Sequence, residues 1–438
     1  MKPKRAMFLA AGSILLMICG QSNLQGQQQQ ITKFDREAAQ EMLKTIRDRV
    51  KQYYYDPTYH GVDLDARYKE YEGKIEHVAN RGAAFADIAA YLSGLHDSHT
   101  FFIPPERSAV FDYGFRMEMV GDKAYVTNVR PGSDAATKLR PGDEVLGLNR
   151  FNVNRQDFGD LTYFLYTLAP QTGVTFELRD PLGQERQEFV KTTVQNRPLP
   201  TFSNDLDFAD YIHYRESFEH RMHARSEEVG DALIWKVPGF FESDEEVDHM
   251  LAKARGHKAL IIDLRGNLGG SGEMVARMIS GLMDHNVKVA TRVSRTSEKP
   301  IVAKSRGKEV FAGKLVVLVD SISASAAEVL ARVIQIEHRG PVVGDRSSGM
   351  VMETTIHPLF HPGEYAVAIT DANLIMSDGK SLEGIGVTPD VVVLPTGADL
   401  AAGQDPALSK AAELVGVTLD PAAAGKLFPF EWTPLSAE

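Results

Sequence analysis

The chain has 438 residues, 43% of them hydrophobic and 24% charged, which is ordinary globular composition and excludes a largely disordered or collagen-like chain. The formal net charge is −11, and it reaches −14 (45 basic against 59 acidic residues) once residues 1–20 are set aside with Lys2, Lys4 and Arg5. Such an acidic balance excludes nucleic acid as a partner, because nothing offsets the electrostatic cost of approaching phosphates.

The N-terminus opens with Lys2, Lys4 and Arg5 and continues as an apolar run from Ala6 to Ile18. A basic start followed by a run too short to span a bilayer predicts an export signal over residues 1–20, with its cleavage site open. The expected location is therefore the periplasm or cell envelope. Membrane attachment is expected only through a lipid anchor at Cys19, although Ile18 is larger than the residue a lipoprotein signal prefers there. Cys19 is the one cysteine of the chain, so its removal excludes disulfides and thiolate metal sites.

Residues 31–107 are expected to form a helical segment. Ala38, Met42, Ile46 and Val50 recur every four residues on one face. Asp56-Pro57 ends that helix, and two more are expected over Leu64–Ala79 and Ala83–Leu95. Leu95-His96-Asp97-Ser98-His99-Thr100 then leads into the stiff pair Pro104-Pro105.

From 108 to 195 the pattern changes to short strands and turns. Arg130-Pro131-Gly132-Ser133 and Arg140-Pro141-Gly142-Asp143 both carry Pro-Gly turns. With Tyr113-Gly114-Phe115 before them, these stretches resemble a PDZ domain. The resemblance implies that Tyr113, Gly114 and Phe115 belong to a loop that captures peptide carboxylates, the substrate-binding loop of this domain.

Residues 196–397 alternate apolar runs with helical patterns. Ala259–Leu264 and Leu315–Val319 read as buried strands, each followed by a small-residue turn and a helix, which predicts an α/β core. Tyr365–Thr370 and Val391–Leu394 are further strands. The tail, 398–438, is rich in Ala and Pro and its order is not legible.

Two turns of this core carry the chemistry. Ser321-Ile322-Ser323-Ala324-Ser325-Ala326-Ala327-Glu328 follows one buried strand and opens a helix. A serine there presents its hydroxyl above the sheet beside helix N-terminal amides. The same spacing, Ser325-x-x-Glu328, is also a capping box, which is far commoner than a nucleophile. Asp263-Leu264-Arg265-Gly266-Asn267-Leu268-Gly269-Gly270 follows the other strand, and its glycines let backbone approach a substrate. A phosphate loop is disfavoured there because no Gly-Lys-Ser/Thr follows.

These two turns, with Glu383-Gly384-Ile385-Gly386-Val387-Thr388-Pro389-Asp390 and the PDZ-like stretch, resemble the tail-specific, C-terminal-processing serine peptidases. Four separated motifs stand in the family's order over residues 35–395. The family's Ser-Lys branch places a lysine where this chain has Met350, after Gly344-Asp345-Arg346-Ser347-Ser348-Gly349. A thioether accepts no proton, and the nearby Arg346 stays protonated. Asp97-Ser98-His99-Thr100 instead resembles the histidine motif of the branch that includes the tricorn protease core. That resemblance implies Ser325 as nucleophile, His99 as general base and acid, Ser98 as the residue that orients it and Glu383 as Ser98's partner. It implies an oxyanion hole from the Ala326 amide and one from Gly269 or Gly270, between which the sequence does not choose.

The resemblance further implies a crotonase-like β-β-α core, with a PDZ-like β-rich domain inserted between histidine and serine. Its expected partners are peptide or protein substrates, C-terminal tails among them. No cofactor and no metal are expected: His220-x-x-His223, with His213, reads as part of a solvated charged helix beside Arg215, Glu216, Glu219 and Arg221. The competing reading is a non-catalytic binding protein on the same fold, of the retinoid-binding kind, or a PDZ scaffold.

Overall fold

Thr32 starts the first helix. Its hydroxyl accepts the Asp35 amide at 3.1 Å, and the Asp35 carboxylate accepts the Thr32 amide at 3.3 Å, a reciprocal cap. Helix α1 (Lys33–Tyr53) buries Ala39, Met42, Leu43, Ile46 and Val50, while Ala38 is only half-buried. At 3.6 residues per turn a strict four-residue step drifts off the face, so the seam runs in alternating steps of three and four. Helices α2 (Leu64–Ile75) and α3 (Arg81–Ser93) join it, and the 31–107 segment ends in a strand, β1 (Phe101–Ile103). The computed structural model describes residues 31–105, 107, 109–149, 151–196, 222–360 and 364–432. The expected export segment, Cys19, His213 and His220 lie outside the described residues.

A β-rich unit follows. Strand β2 (Ala109–Asp112) pairs with β9 (Thr193–Asn196), so the chain enters and leaves side by side. Between them, β3 (Phe115–Val120), β4 (Lys123–Val129), β5 (Glu144–Leu148), β7 (Gly173–Arg179) and β8 (Glu185–Lys191) form an antiparallel sheet in that order, with the short β6 (Phe151–Asn152) also on β5, around a core of its own.

Beyond it come β10 (Arg225–Val229), β11 (Ala232–Lys236), α4 (Asp244–Ala254), β12 (Ala259–Asp263), α5 (Gly272–Leu282), β13 (Val287–Ser294), β14 (Glu298–Ala303), β15 (Lys314–Val319), α6 (Ala326–Ile336), β16 (Val342–Gly344), β17 (Met352–Phe360), β18 (Glu364–Met376) and β19 (Val391–Val392). One sheet runs β10-β11-β12-β15-β16-β19, parallel from β11 onward. Leu260, Ile262, Leu315 and Val317 face the core containing α4, α5 and α6, while Ile261, Val316 and Leu318 face the opposite side. Burial on both faces is why these strands read as unbroken apolar runs. A second, antiparallel sheet runs β1-β18-β13-β14, with β17 also on β18. Helices α1–α3 share a core with Val367 and Ile369 of β18, which fastens the N-terminal segment to it.

The tail that composition left unread is ordered through Trp432. Helix α7 (Pro406–Val415) covers the second face of the parallel sheet with Leu408, Ala411, Ala412 and Val415. Proline at its first position supplies a φ already fit for a helix. Asp405 caps it by accepting the Leu408 amide at 2.9 Å, and its carboxylate takes two bonds from Arg265 at 2.8 and 2.7 Å. Arg265 also clamps buried Asp263 at 2.9 and 2.8 Å, and the neighbouring guanidinium and Lys236 ammonium hold that carboxyl far below its usual range despite its burial. The tail is thus tied to the base of the Gly266–Gly270 loop. Asp405→Ala removes one arm of this pair and the cap together. It should cost about 2 kcal/mol, read as a lower melting temperature, and an unchanged Tm would contradict the tie.

Candidate active site

The β1–β18 register decides where His99 lies. Phe101 pairs with Ala368, Phe102 with Val367 and Ile103 with Ala366. The turn before β1 is then pinned to the same strand. Asp97 Oδ1 accepts the amides of His99 at 3.0 Å and Thr100 at 2.7 Å and the Thr370 hydroxyl at 2.7 Å. The His99 carbonyl accepts the Thr354 hydroxyl at 3.1 Å, so β17 holds it from the other side.

Four of the residues singled out in sequence fall into two groups. The first is Ser98, His99 and Glu383. Glu383 accepts the Ser98 amide at 2.7 Å and the Ser98 hydroxyl at 3.0 Å, and the Ser98 Oγ lies 2.8 Å from His99 Nδ1. An ionised Glu383 can only accept, and Ser98 has a single hydroxyl proton to give it. His99 Nδ1 must therefore carry hydrogen and donate to Ser98, which leaves Nε2 with a free lone pair. Burial pulls the His99 imidazolium below its ordinary value of 6.5, against the opposing pull of Asp97, so the ring is neutral at pH 7. Burial also raises the Glu383 carboxyl above 4.5, countered by the amides of Val351 and Ser98.

The second group is built around Ser325, which sits between β15 and α6 at φ 55° and ψ −118°. That left-handed φ is strained for a serine and turns its side chain outward from the sheet edge. The turn before it is laced to the other loop. Asp320 Oδ1 accepts the amides of Ile322 and Gly266, both at 3.0 Å, and the Ala324 amide reaches the Asn267 carbonyl at 2.9 Å. Among the described residues no hydrogen bond joins His99 Nε2 to Ser325 Oγ. The two groups meet through the segment 349–351, where Met350 accepts the Ser325 amide at 2.8 Å and Val351 donates to Glu383 at 2.8 Å.

The glycines behave differently from each other. The Gly269 amide donates to Asn267 Oδ1 at 2.7 Å, and buried Asn267 is fixed in turn by its bond to the Val237 carbonyl at 2.9 Å. Gly270 and Ala326 have no backbone acceptor for their amides among the described residues. Gly269 is needed for space: a Cβ there, at φ +105°, would stand 2.7 Å from the Ser325 Cβ. Sequence reasoning passed over Asn267, whose side chain does the choosing. It also read Glu328 as a helix cap alone. Glu328 is fully buried and accepts the Ser347 hydroxyl at 2.5 Å and the amides of Gly349, Met350 and Ser325 at 2.7, 2.9 and 3.0 Å.

The residues expected to bind substrate, Tyr113, Gly114 and Phe115, are engaged within the protein. Tyr113 and Phe115 are buried in the β-rich unit, and the Tyr113 hydroxyl donates to the Leu165 carbonyl at 2.9 Å. The Gly114 amide donates to Asp112 at 3.1 Å. The β-rich unit does touch the site. Asp345 accepts the Gly121 amide at 2.8 Å and Arg155 at 2.9 Å, and Ser321 donates to the Met119 carbonyl at 2.6 Å. Among the described residues, one group of metal-ligating types converges, His223, Glu242 and Glu246. It lies outside this site and is internally engaged: Glu242 accepts the Ala224 amide and Glu246 the Ser243 amide.

Comparison with known proteins follows the same lines. Residues 232–393 match the model of peptidase family S41, and residues 35–93 match the tricorn protease C1 domain. A tricorn protease homolog of Streptomyces coelicolor is 25% identical over 398 residues, 83% of this chain and 31% of that protein. A carboxy-terminal-processing protease of Bartonella bacilliformis is 31% identical over 136 residues, 31% of each chain. The chain thus spans about a third of the length of these curated relatives. Mature CPAF shares the fold, with a TM-score of 0.63 and 16% identity over 84% of this chain and 95% of that one. The crowding at Gly269 gives a direct test of the site's packing. Gly269→Ala should force the Ser325 turn to shift and lower the melting temperature, and an unchanged Tm would contradict the contact.

Proposed function

The chain carries a peptidase family S41 domain and a tricorn protease C1 domain, and from that premise we propose that it is a serine endopeptidase with Ser325 as nucleophile and His99 as base. Its core, 196–397, is then a crotonase-like α/β domain, and 108–195 is a PDZ-like insertion between the two halves of one active site. The observation that carries this reading is the chain of hydrogen bonds Glu383–Ser98–His99, because it leaves an unprotonated, neutral Nε2 on a ring held in one orientation. A solvated surface histidine needs no such support, and a binding protein has no use for a fixed tautomer.

In the reaction His99 Nε2 takes the Ser325 hydroxyl proton as Oγ attacks the peptide carbonyl carbon. The carbonyl oxygen becomes an oxyanion facing the amides of Ala326 and Gly270. The bond from the Gly269 amide to Asn267 Oδ1 supports Gly270 over Gly269 in that role. The intermediate collapses, the C–N bond breaks, and His99 returns the proton to the leaving amine. Water then attacks the acyl-enzyme with His99 again as base, and Ser325 regains its proton. The Ser–His bond itself forms in the substrate complex, as is common where apo geometry is loose. Met350 stands at the position of the Ser-Lys branch's lysine, so no second base competes.

For substrates we propose peptide or protein chains. The Asp345 contacts with Gly121 and Arg155 support engagement of substrate by the PDZ-like domain, since they lead from it to the loop beside Ser325. Capture of free C-terminal carboxylates has less support, because Asp112 already holds the Gly114 amide. The basic-then-apolar layout of residues 1–20 supports export to the periplasm or cell envelope. Among the described residues no helix is long and apolar enough to cross a membrane.

Ser325→Ala should lower peptide hydrolysis by about 10⁶-fold with the fold intact, and retained cleavage would overturn the assignment. Ser98→Ala should cost about 10²- to 10⁴-fold in kcat, since the imidazole loses its tautomer anchor. The pH profile carries the sign of the His99 shift. The base is active when neutral, so kcat/KM should rise with pH, pass half-maximum below 6.5 and be level from 7 to 8. A midpoint above 7 would refute the lowered value.

A further inference from the structure

Glu328 receives more hydrogen bonds than a helix cap requires. A capping box needs one carboxylate bond to the residue at the helix start, usually in water. Here both oxygens are saturated: Oε1 by the Ser347 hydroxyl and the Gly349 amide, Oε2 by the amides of Met350 and Ser325. All of these groups donate, for the Ser347 oxygen itself accepts the Val387 amide at 2.6 Å and so directs its proton to Glu328. The side chain is fully buried, and no salt bridge reaches it among the described residues. An anion without a cation is held inside the protein by hydrogen bonds alone.

Its position joins the two halves of the site. The Met350 amide goes to Glu328 and the next amide, Val351, goes to Glu383. Two carboxylates, one beside the nucleophile and one behind the base, therefore grip adjacent links of one strand of chain. The Met350 carbonyl accepts the Ser325 amide as well, and the Gly349 carbonyl accepts the Gly384 amide at 2.8 Å. Any change in the state of Glu328 moves Ser325 relative to His99, where an error of about 1 Å costs about 100-fold.

Building on the hydrolytic reading of Ser325, we propose that Glu328, as the carboxylate, is a positioning residue that locks Ser325 and the 347–351 segment in the register that presents the nucleophile to His99. Protonation at Oε2 sets a hydroxyl against the Met350 and Ser325 amides, which can only donate, so a bond to the nucleophile's own segment breaks and the lock opens. The groups facing it are the Ser347 hydroxyl and the three amides. The titratable groups tied to the same segment are Glu383, through the Val351 amide, with His99 beyond Ser98, and Asp345 and Arg346, which precede Ser347. Burial pushes the Glu328 carboxyl up to about 6 against the pull of those four donors. The ionised, locked form is thus full at pH 7.5 and lost as pH falls through about 6. Folding itself favours the protonated form: that stabilisation is complete below 4.5 and gone above about 6. The locked state is held at some expense to stability.

The test compares wild type with Glu328→Gln and Ser347→Ala in the full chain, by steady-state peptide hydrolysis from pH 5 to 8.5 and by fluorophosphonate labelling. Loss of hydrolysis in Ser325→Ala is the separate check on the hydrolytic reading. The glutamine amide sets a donor against donors, so kcat at pH 7.5 should fall about 100-fold while KM stays within about 3-fold. Wild-type kcat should fall with two protons below pH 6, and Glu328→Gln with only one. Ser347→Ala removes one donor from the anion, which should move the acid limb of kcat up by about 0.5–1 pH unit, with the rate at pH 8.5 within about 3-fold of wild type. A folded Glu328→Gln that keeps its kcat, or a Ser347→Ala with an unmoved acid limb, overturns the proposal. If Glu328→Gln fails to fold, the Ser347→Ala profile decides alone.

Discussion

Two neighbouring amides carry the architecture of this site. Met350 donates to Glu328 and Val351 donates to Glu383. Successive amides along an extended chain point to opposite sides, so one short segment can serve two carboxylates that face each other across it. The Ser325 side hangs from one of them and the Ser98–His99 side from the other. The separation of the two groups is then set by the covalent length of one residue rather than by flexible side chains. A buried anion without its donors is costly, so each carboxylate also penalises any loop conformation that withdraws an amide.

This arrangement joins Ser325 to His99, more than 200 residues away in the chain, which requires a stiff delivery of His99. Sheet register supplies it. A one-residue slip of β1 against β18 would turn the side chains to the opposite face and carry the 97–100 turn with them. The Thr100 and Thr370 hydroxyls, 3.1 Å apart, and Asp97 resist that slip at the point where it would matter. The β-rich unit between them can then be large without disturbing the site, because its two ends leave as the paired strands β2 and β9.

The parts legible in sequence are those governed by local pattern. Unbroken apolar runs announced the buried strands β12 and β15, and the small-residue turns after them announced the loops. Asp97-Ser98-His99 and Glu383 were found by motif, and the structure brings them together. What escaped depends on partners far along the chain. Whether Gly269 or Gly270 keeps a free amide turns on the side chain of Asn267, whose own position depends on a bond to Val237. Glu328 looks like a cap because the three bonds that make it more come from residues 347–350. The tail was illegible because short Ala-rich helices have little periodicity, and the tie that holds α7, Asp405 to Arg265, spans 140 residues.

The absence of a lysine at position 350 acquires a structural meaning in this setting. In a Ser-Lys enzyme that position must bring an ammonium to the nucleophile. With methionine, the position contributes only its backbone: the amide to Glu328 and the carbonyl to the Ser325 amide. The two carboxylates that grip this segment, Glu328 and Glu383, therefore meet no cation from position 350. In the proposed mechanism proton acceptance falls to the neutral His99 imidazole, whose protonated form burial disfavours. In that mechanism, methionine at 350 and a neutral His99 base are two sides of one electrostatic choice.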